Sequence, residues 1–337
     1  MAGGRTRSET LTRLPRLGFG GAAVGNLYNP VSDADARVVI DAALAAGIGY
    51  FDTAPHYGFG LSETRLGQAL ADREVMLSTK VGRRLEPIET AQRERHGFVD
   101  AAPFEPVFDY SYDGVLRSFE DSQRRLKRER VDVLLAHDLG RATHGEAHAS
   151  HMCDFLEGGY RAMRELRDAG AVGAIGLGVN EQAVCEEVLD HADVDVFLLA
   201  GRYTLLEQTA LEHFLPRCLA RGVGIVIGGP FNSGALVETT GTLHYNYEAA
   251  PIEIVERVGR LRRVCAAHGV ALAAAALQFP LAHPAVRSVI PGIATPDQVA
   301  DATRWLDVAI PPALWSDLRS EGLIRADAPV PATRAAA

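Results

Sequence analysis

From Leu17 onward, short apolar runs alternate with longer amphipathic ones. The runs at 17–21, 48–53, 75–80, 131–137, 172–179, 194–200, 223–228 and 287–291 are almost continuously apolar, which suits parallel strands buried on both faces. Between them, apolar positions recur at helical spacing over 33–46, 62–71, 112–128, 155–169, 182–191, 211–221 and 251–268. Ser32 is placed to cap the first of these helices, Gly47 to close it, and Gly170 to end another. Eight strand–helix alternations without a linker predict an α/β fold, a single-domain (β/α)8 TIM barrel. A doubly wound open sheet is the alternative, because counting elements does not distinguish a closed sheet from an open one. Residues 1–16 are expected as an N-terminal extension, 17–326 as the barrel and 327–337 as a disordered tail.

Three predicted strands end on ionisable residues: Asp52, Lys80 and His137. Tyr57 follows Asp52 within Phe51-Asp52-Thr53-Ala54-Pro55-His56-Tyr57-Gly58. In a parallel barrel all four groups fall at one rim, the face on which such barrels build sites. A lysine beside a tyrosine lowers the phenol pKa towards the range of proton transfer near neutral pH. The pattern therefore points to a proton-transfer site. Tyr57 exchanges a proton with a substrate oxygen, Lys80 stabilises its phenolate, Asp52 keeps Lys80 charged, and His137 orients or polarises the same oxygen. Four unrelated strand-end polar groups are the blander alternative, and the joint spacing argues against it. Three long connections, 83–110, 140–154 and 229–250, leave the same rim; the third carries Tyr245 and Tyr247.

Composition changes this picture little. Hydrophobic residues at 47% and charged residues at 23% match a globular protein able to bury a full core. A net charge of −9 argues against nucleic-acid or anionic-membrane partners, and no apolar run approaches the roughly 20 residues of a membrane span. The basic N-terminus lacks the apolar stretch of a secretory signal. Cys153, Cys185, Cys218 and Cys265 form no C-x-x-C pair, as expected of reduced thiols in the cytoplasm.

Other motifs carry less. His144, His148 and His151 share one face of a helical spacing, but no carboxylate or thiolate completes a metal set; a solvated loop and no metal are expected. Gly18-x-Gly20-x-x-Ala23 imitates a dinucleotide fingerprint, yet a polar loop rather than a helix follows it. The basic run from Arg124 to Arg128 suits a helix C-terminus.

The order of Asp52, Tyr57, Lys80 and His137, with Leu17-Gly18-Phe19-Gly20, Gly58 and Glu63, resembles the aldo-keto reductase superfamily over residues 14–305. The resemblance implies a TIM barrel, a nicotinamide cofactor held without a Rossmann domain, and a catalytic tetrad that here is Tyr57, Lys80, His137 and Asp52. It also implies cofactor contacts at Gly20, Gly21 and Asp52. The Ser-Asn pair usual after the fifth strand is replaced by Gly178-Val179, so the next residue, Asn180, either takes the nicotinamide-carboxamide contact or that contact is absent. A glutamine usual on the sixth strand is Ala200, and a tyrosine often stacked on nicotinamide is Gly228. The loop Gly228-Gly229-Pro230-Phe231-Asn232-Ser233-Gly234 keeps glycines and amides suited to a pyrophosphate. NADPH-dependent members carry Lys or Arg near the positions of Gly292 and Gln298; here neither is basic, and Thr295 and Asp297 lie between. A 2′-phosphate would forgo charge-assisted hydrogen bonds of roughly 1.5–3 kcal/mol each. NAD is expected over NADP.

The segments from Gly176 to Glu181 and from Leu199 to Gln208 resemble a narrower branch, the L-fucose (D-threo-aldose) 1-dehydrogenases and pyridoxal 4-dehydrogenases. That branch oxidises a cyclic hemiacetal to a lactone with NAD(P), and there Tyr57 would act as phenolate base. A sugar would draw on polar groups from His56, Arg83, His96 and Arg202; a pyridine ring would stack on Phe19, Tyr28, Phe231 or Tyr245. The expected protein is an NAD-linked oxidoreductase of a small-molecule substrate, a monomer or small homo-oligomer. A general NADPH-dependent carbonyl reductase and a non-enzymatic cofactor-sensing subunit are the alternatives.

Overall fold

The computed structural model describes residues 7–237, 242–246 and 248–332. Its main sheet runs in chain order through eight strands: β1 (Phe19–Gly20), β2 (Tyr50–Asp52), β3 (Met76–Val81), β4 (Val131–His137), β5 (Val172–Val179), β6 (Val196–Ala200), β7 (Gly224–Gly228) and β8 (Val286–Ile290). Neighbouring strands are parallel. The backbone of Gly18 donates to Val289 and that of Gly20 to Pro291, both at 2.9 Å, so β1 meets β8 and the sheet is a closed barrel. Glycine permits that seam: a Cβ on Gly20 would stand 2.8 Å from the Pro291 carbonyl.

Side-chain alternation along the strands divides the core in two. Inward positions include Tyr50, Met76, Val133, Leu135, Ala174, Val196, Leu198, Val226 and Ile290. Leu11 and Leu14 join this inner cluster, so the extension before the barrel contributes a helix, α1 (Arg7–Arg13), that plugs the floor. Outward positions pack with the helices into a larger shell. The helices α2 (Asp33–Ala45) and α3 (Leu61–Leu70) follow the first two strands, and Ser32 caps α2 by accepting from the Asp35 amide.

The long connections are built rather than loose. Residues 83–110 form two antiparallel ribbons, Arg83–Pro87 with Phe104–Phe108 and Glu94–Arg95 with Phe98–Val99. The histidine-rich 140–154 segment is mostly helical, not a solvated loop: His148 is 2% exposed, its ring bonded to the Leu139 carbonyl and to Glu187. Burial there is bought by satisfying both ring nitrogens. Of the tail expected to be disordered, residues 327–332 pack back, with Ala328 buried and its carbonyl accepting from Arg319 at 2.8 Å. Residues 238–241 and 333–337, and Tyr247, lie outside the described residues. Among the described residues no single helix is long and apolar enough to cross a membrane.

Candidate active site

Asp52, Lys80 and His137 continue the inward register of their strands, each two residues beyond an inward neighbour (Tyr50, Ser78, Leu135). The turn after β2 delivers Tyr57 to the same place. Lys80 Nζ donates to Asp52 Oδ2 at 2.8 Å, to the Thr53 carbonyl at 2.8 Å and to Tyr57 Oη at 3.2 Å. All three ammonium donors are thus used, which makes a cation that is 1% exposed tolerable. The other Asp52 oxygen accepts from Ser78 Oγ at 2.6 Å, and Ser78 is bonded in turn to the Tyr50 hydroxyl at 2.9 Å. Gly178 leaves the room above: a Cβ there would stand 3.1 Å from Lys80 Cε. The His137 ring lies 5.9 Å from the Tyr57 ring, nearly perpendicular to it, and its Nδ1 is buried without a partner.

Burial dominates the electrostatics. It pushes the Tyr57 phenol up to about 12, more than the Lys80 ammonium draws it down, so the net shift runs opposite to the lowering expected from the lysine alone. Burial also pulls Lys80 down, but Asp52 and Tyr57 lift it above the ordinary lysine value and hold it charged. His137 is held well below the usual histidine range by burial, then by Arg83 and Lys80. Burial, with Arg83 next, takes His56 down to about 2. Both imidazoles are neutral.

A family model described as the aldo/keto reductase family matches residues 16–320. The chain belongs to the aldo/keto reductase family. It is accordingly an oxidoreductase acting on CH–OH groups with a nicotinamide cofactor. The reductase is 44% identical to a pyridoxal 4-dehydrogenase of Microbacterium luteolum, over 95% of this chain and 97% of that one. It is 38% identical to a D-threo-aldose 1-dehydrogenase of a Pseudomonas species, over 92% and 95%. Among solved structures, an aldo-keto reductase from Bacillus halodurans in its holo form superposes with a TM-score of 0.71 at 26% identity, covering 92% of each chain.

Around the tetrad, this reductase brings together some expected residues and diverts others. His56 stands 5.9 Å from His137, ring to ring, and 5.3 Å from Phe98; Phe98 also lies 6.3 Å from Tyr57. The 83–110 excursion therefore covers one side of the site. Tyr28 is 55% exposed at the outer mouth, its amide bonded to Gly97. Phe19 is a correction: it points outward, sealed against Phe51 in the shell beneath the helices, because Gly18 and Gly20 take the inward positions. Phe231 packs on Trp305, and Arg202 donates to the Asn180 carbonyl at 2.7 Å and to Asn246 at 3.0 Å.

The expected cofactor residues serve different ends. Gly20 and Gly21 answer to packing, since a Cβ on Gly21 would stand 2.6 Å from the Asp52 carbonyl. The Asn232 side chain is occupied, accepting from Thr204 at 2.6 Å and donating to the Gly201 carbonyl at 3.1 Å, which ties Pro230, Phe231 and Gly234 into a fixed turn after β7. Asn180 Nδ2 donates to Asp138 at 3.2 Å. Gly292 faces open space, and Gly229 nearly so. Thr295 caps the helix Pro296–Asp307 by accepting from the Gln298 amide, while the Gln298 side chain accepts from Ala294 at 2.7 Å. Ser78, Phe98 and Asp138 were not among the expected site residues. Ser78 was findable, two positions before Lys80 on the same strand face; Phe98 arrives through tertiary packing alone.

Proposed function

We propose that this reductase oxidises the hemiacetal carbon of a small cyclic lactol to its lactone, with NAD as the hydride acceptor and Tyr57 as the general acid–base. The observation that carries the chemistry is Lys80 Nζ bonded at once to Asp52 and Tyr57 inside a buried site. The substrate class is supported by likeness to the pyridoxal 4-dehydrogenase and D-threo-aldose 1-dehydrogenase.

The residues present fit a nicotinamide cofactor. Gly178, beside Lys80, and Gly228, Gly229 and Gly292, at or just after the ends of later strands, leave this rim of the barrel bare of side chains, and the last two face space that a Cβ would enter. Bound there, a nicotinamide ring supplies hydride acceptance. Tyr57 takes the hydroxyl proton as the carbonyl forms, and Lys80 stabilises the phenolate that can do so. Asp52 keeps Lys80 in place, held itself by Ser78. His137, neutral, offers a hydrogen bond to the reacting oxygen without competing for its proton. NAD is favoured over NADP because residues 291–298 carry no cation, and Asp297 is exposed among them.

Following NADH formation with L-fucose, D-arabinose, L-galactose and pyridoxal tests the reading, with NADP in parallel. Turnover of at least one with NAD is expected. No turnover on any, alongside reduction of simple aldehydes by NADPH, would overturn it.

A further inference from the structure

Beside His137 the strand-end face holds a second charged pair that the chemistry above leaves idle. Arg83, placed by the tight turn at Gly82 (φ +95°), donates through Nη2 to Asp138 Oδ2, and Asn180 donates to Asp138 Oδ1 at 3.2 Å. Asp138 follows His137 directly in the left-handed region, φ +49°, a conformation that costs free energy in a non-glycine residue. Its carboxylate lies 3.5 Å from His137 Nε2, and both Arg83 and Asp138 side chains are 11% exposed.

A carboxylate has roughly four acceptor sites, and these two donors leave it capacity to spare. The Nε of Arg83 is buried with no partner. The Asp138 acceptor and the Arg83 guanidinium, each still partly exposed, thus stand side by side next to His137. Packing does not call for them, since apolar groups of similar volume commonly stabilise a fold as well as a buried ion pair does.

We propose that the Arg83–Asp138 pair recognises a hydroxyl on the carbon adjacent to the one oxidised, Asp138 accepting from its O–H and Arg83 donating to its oxygen. The inference rests on the lactol reading and narrows it to aldoses with a free 2-hydroxyl. The pair carries no net charge, so it suits a neutral polyol. A ring phenolate, such as an ionised pyridoxal bears, has no proton to give Asp138 and would use only the Arg83 half of the pair.

The test crosses residue deletion with hydroxyl deletion. Wild type and Asp138→Ala are assayed with NAD on L-fucose and 2-deoxy-L-fucose, and on D-arabinose and its 2-deoxy counterpart. Asp138→Ala should lose about 10- to 150-fold in kcat/KM on the parent sugars, the span of a hydrogen bond to a charged group, and little on the deoxy sugars. Arg83→Met should repeat the pattern. Asp138→Asn replaces the alanine variant if circular dichroism shows the latter unfolded. Equal losses on parent and deoxy sugars overturn the proposal and make the pair a positioning device for His137 and Asn180. Wild-type turnover of pyridoxal but of neither sugar overturns it too, leaving the lactol reading intact. No turnover of any lactol removes both.

Discussion

Tyr57 has a phenol pushed up to about 12 by burial, so its phenolate fraction grows about tenfold per pH unit from neutrality upward. In the oxidative direction kcat/KM should therefore climb steadily between about pH 6 and 10. With Tyr57 as the proposed acid–base, the reductive direction draws on the protonated phenol and should stay flat over that span. Initial rates in both directions would show it. Tyr57→Phe should cut turnover by about 10²- to 10⁴-fold, the usual contribution of a positioned acid–base, while NADH still binds by fluorescence titration. Lys80→Met removes the one charge that draws the phenol down, so the oxidative profile should move to higher pH. It also strands Asp52 in a buried site at a cost of about 3–5 kcal/mol, measurable by denaturant unfolding.

At the scale of elements, two pieces shape the site from outside the tetrad. The ribbon Glu94–Arg95 with Phe98–Val99 is braced by Arg95, which donates to the Phe104 and Ala102 carbonyls at 2.7 Å. It sets Phe98 against His56 and Tyr57. Phe98→Ala should admit water, lower the Tyr57 pKa and shift the oxidative pH profile down, opposite to Lys80→Met, while raising KM. The turn from β8 into the helix Pro296–Asp307 leaves Gly292 open and uses Gln298 internally. Gly292→Lys should raise kcat/KM with NADP relative to NAD, because it supplies the cation a 2′-phosphate needs; an unchanged ratio would remove this turn from cofactor choice.

For the whole molecule, buried neutral histidines tie stability to pH. His56 is lowered to about 2 and His137 well below its ordinary value, whereas both titrate near 6.5 once unfolded. Below that value the unfolded chain binds more protons, so stability is full above about pH 6.5 and falls as pH drops. Each histidine contributes up to about 1.4 kcal/mol per pH unit. Denaturant midpoints at pH 7.5 and 5.5 should differ accordingly. Asp138, raised by burial, acts in the opposite sense at lower pH.

By itself the sequence determined the repeating element order, the strand bounds to within a residue or two and the meeting of Asp52, Tyr57, Lys80 and His137 at one rim, because apolar periodicity and strand-end ionisable residues are local signals. Period two along β3 also carried Ser78, had the inward face been followed one step back from Lys80. Closure of the sheet needed tertiary structure: it depends on backbone contact between β1 and β8, which only the glycine seam permits. So did the outward turn of Phe19, the occupied Asn232 and the helical histidine segment, since each follows from neighbours far away in the chain. The sign of the Tyr57 shift belongs there as well. A lysine nearby is visible in sequence order, but how much water burial removes is set only by what packs around the phenol.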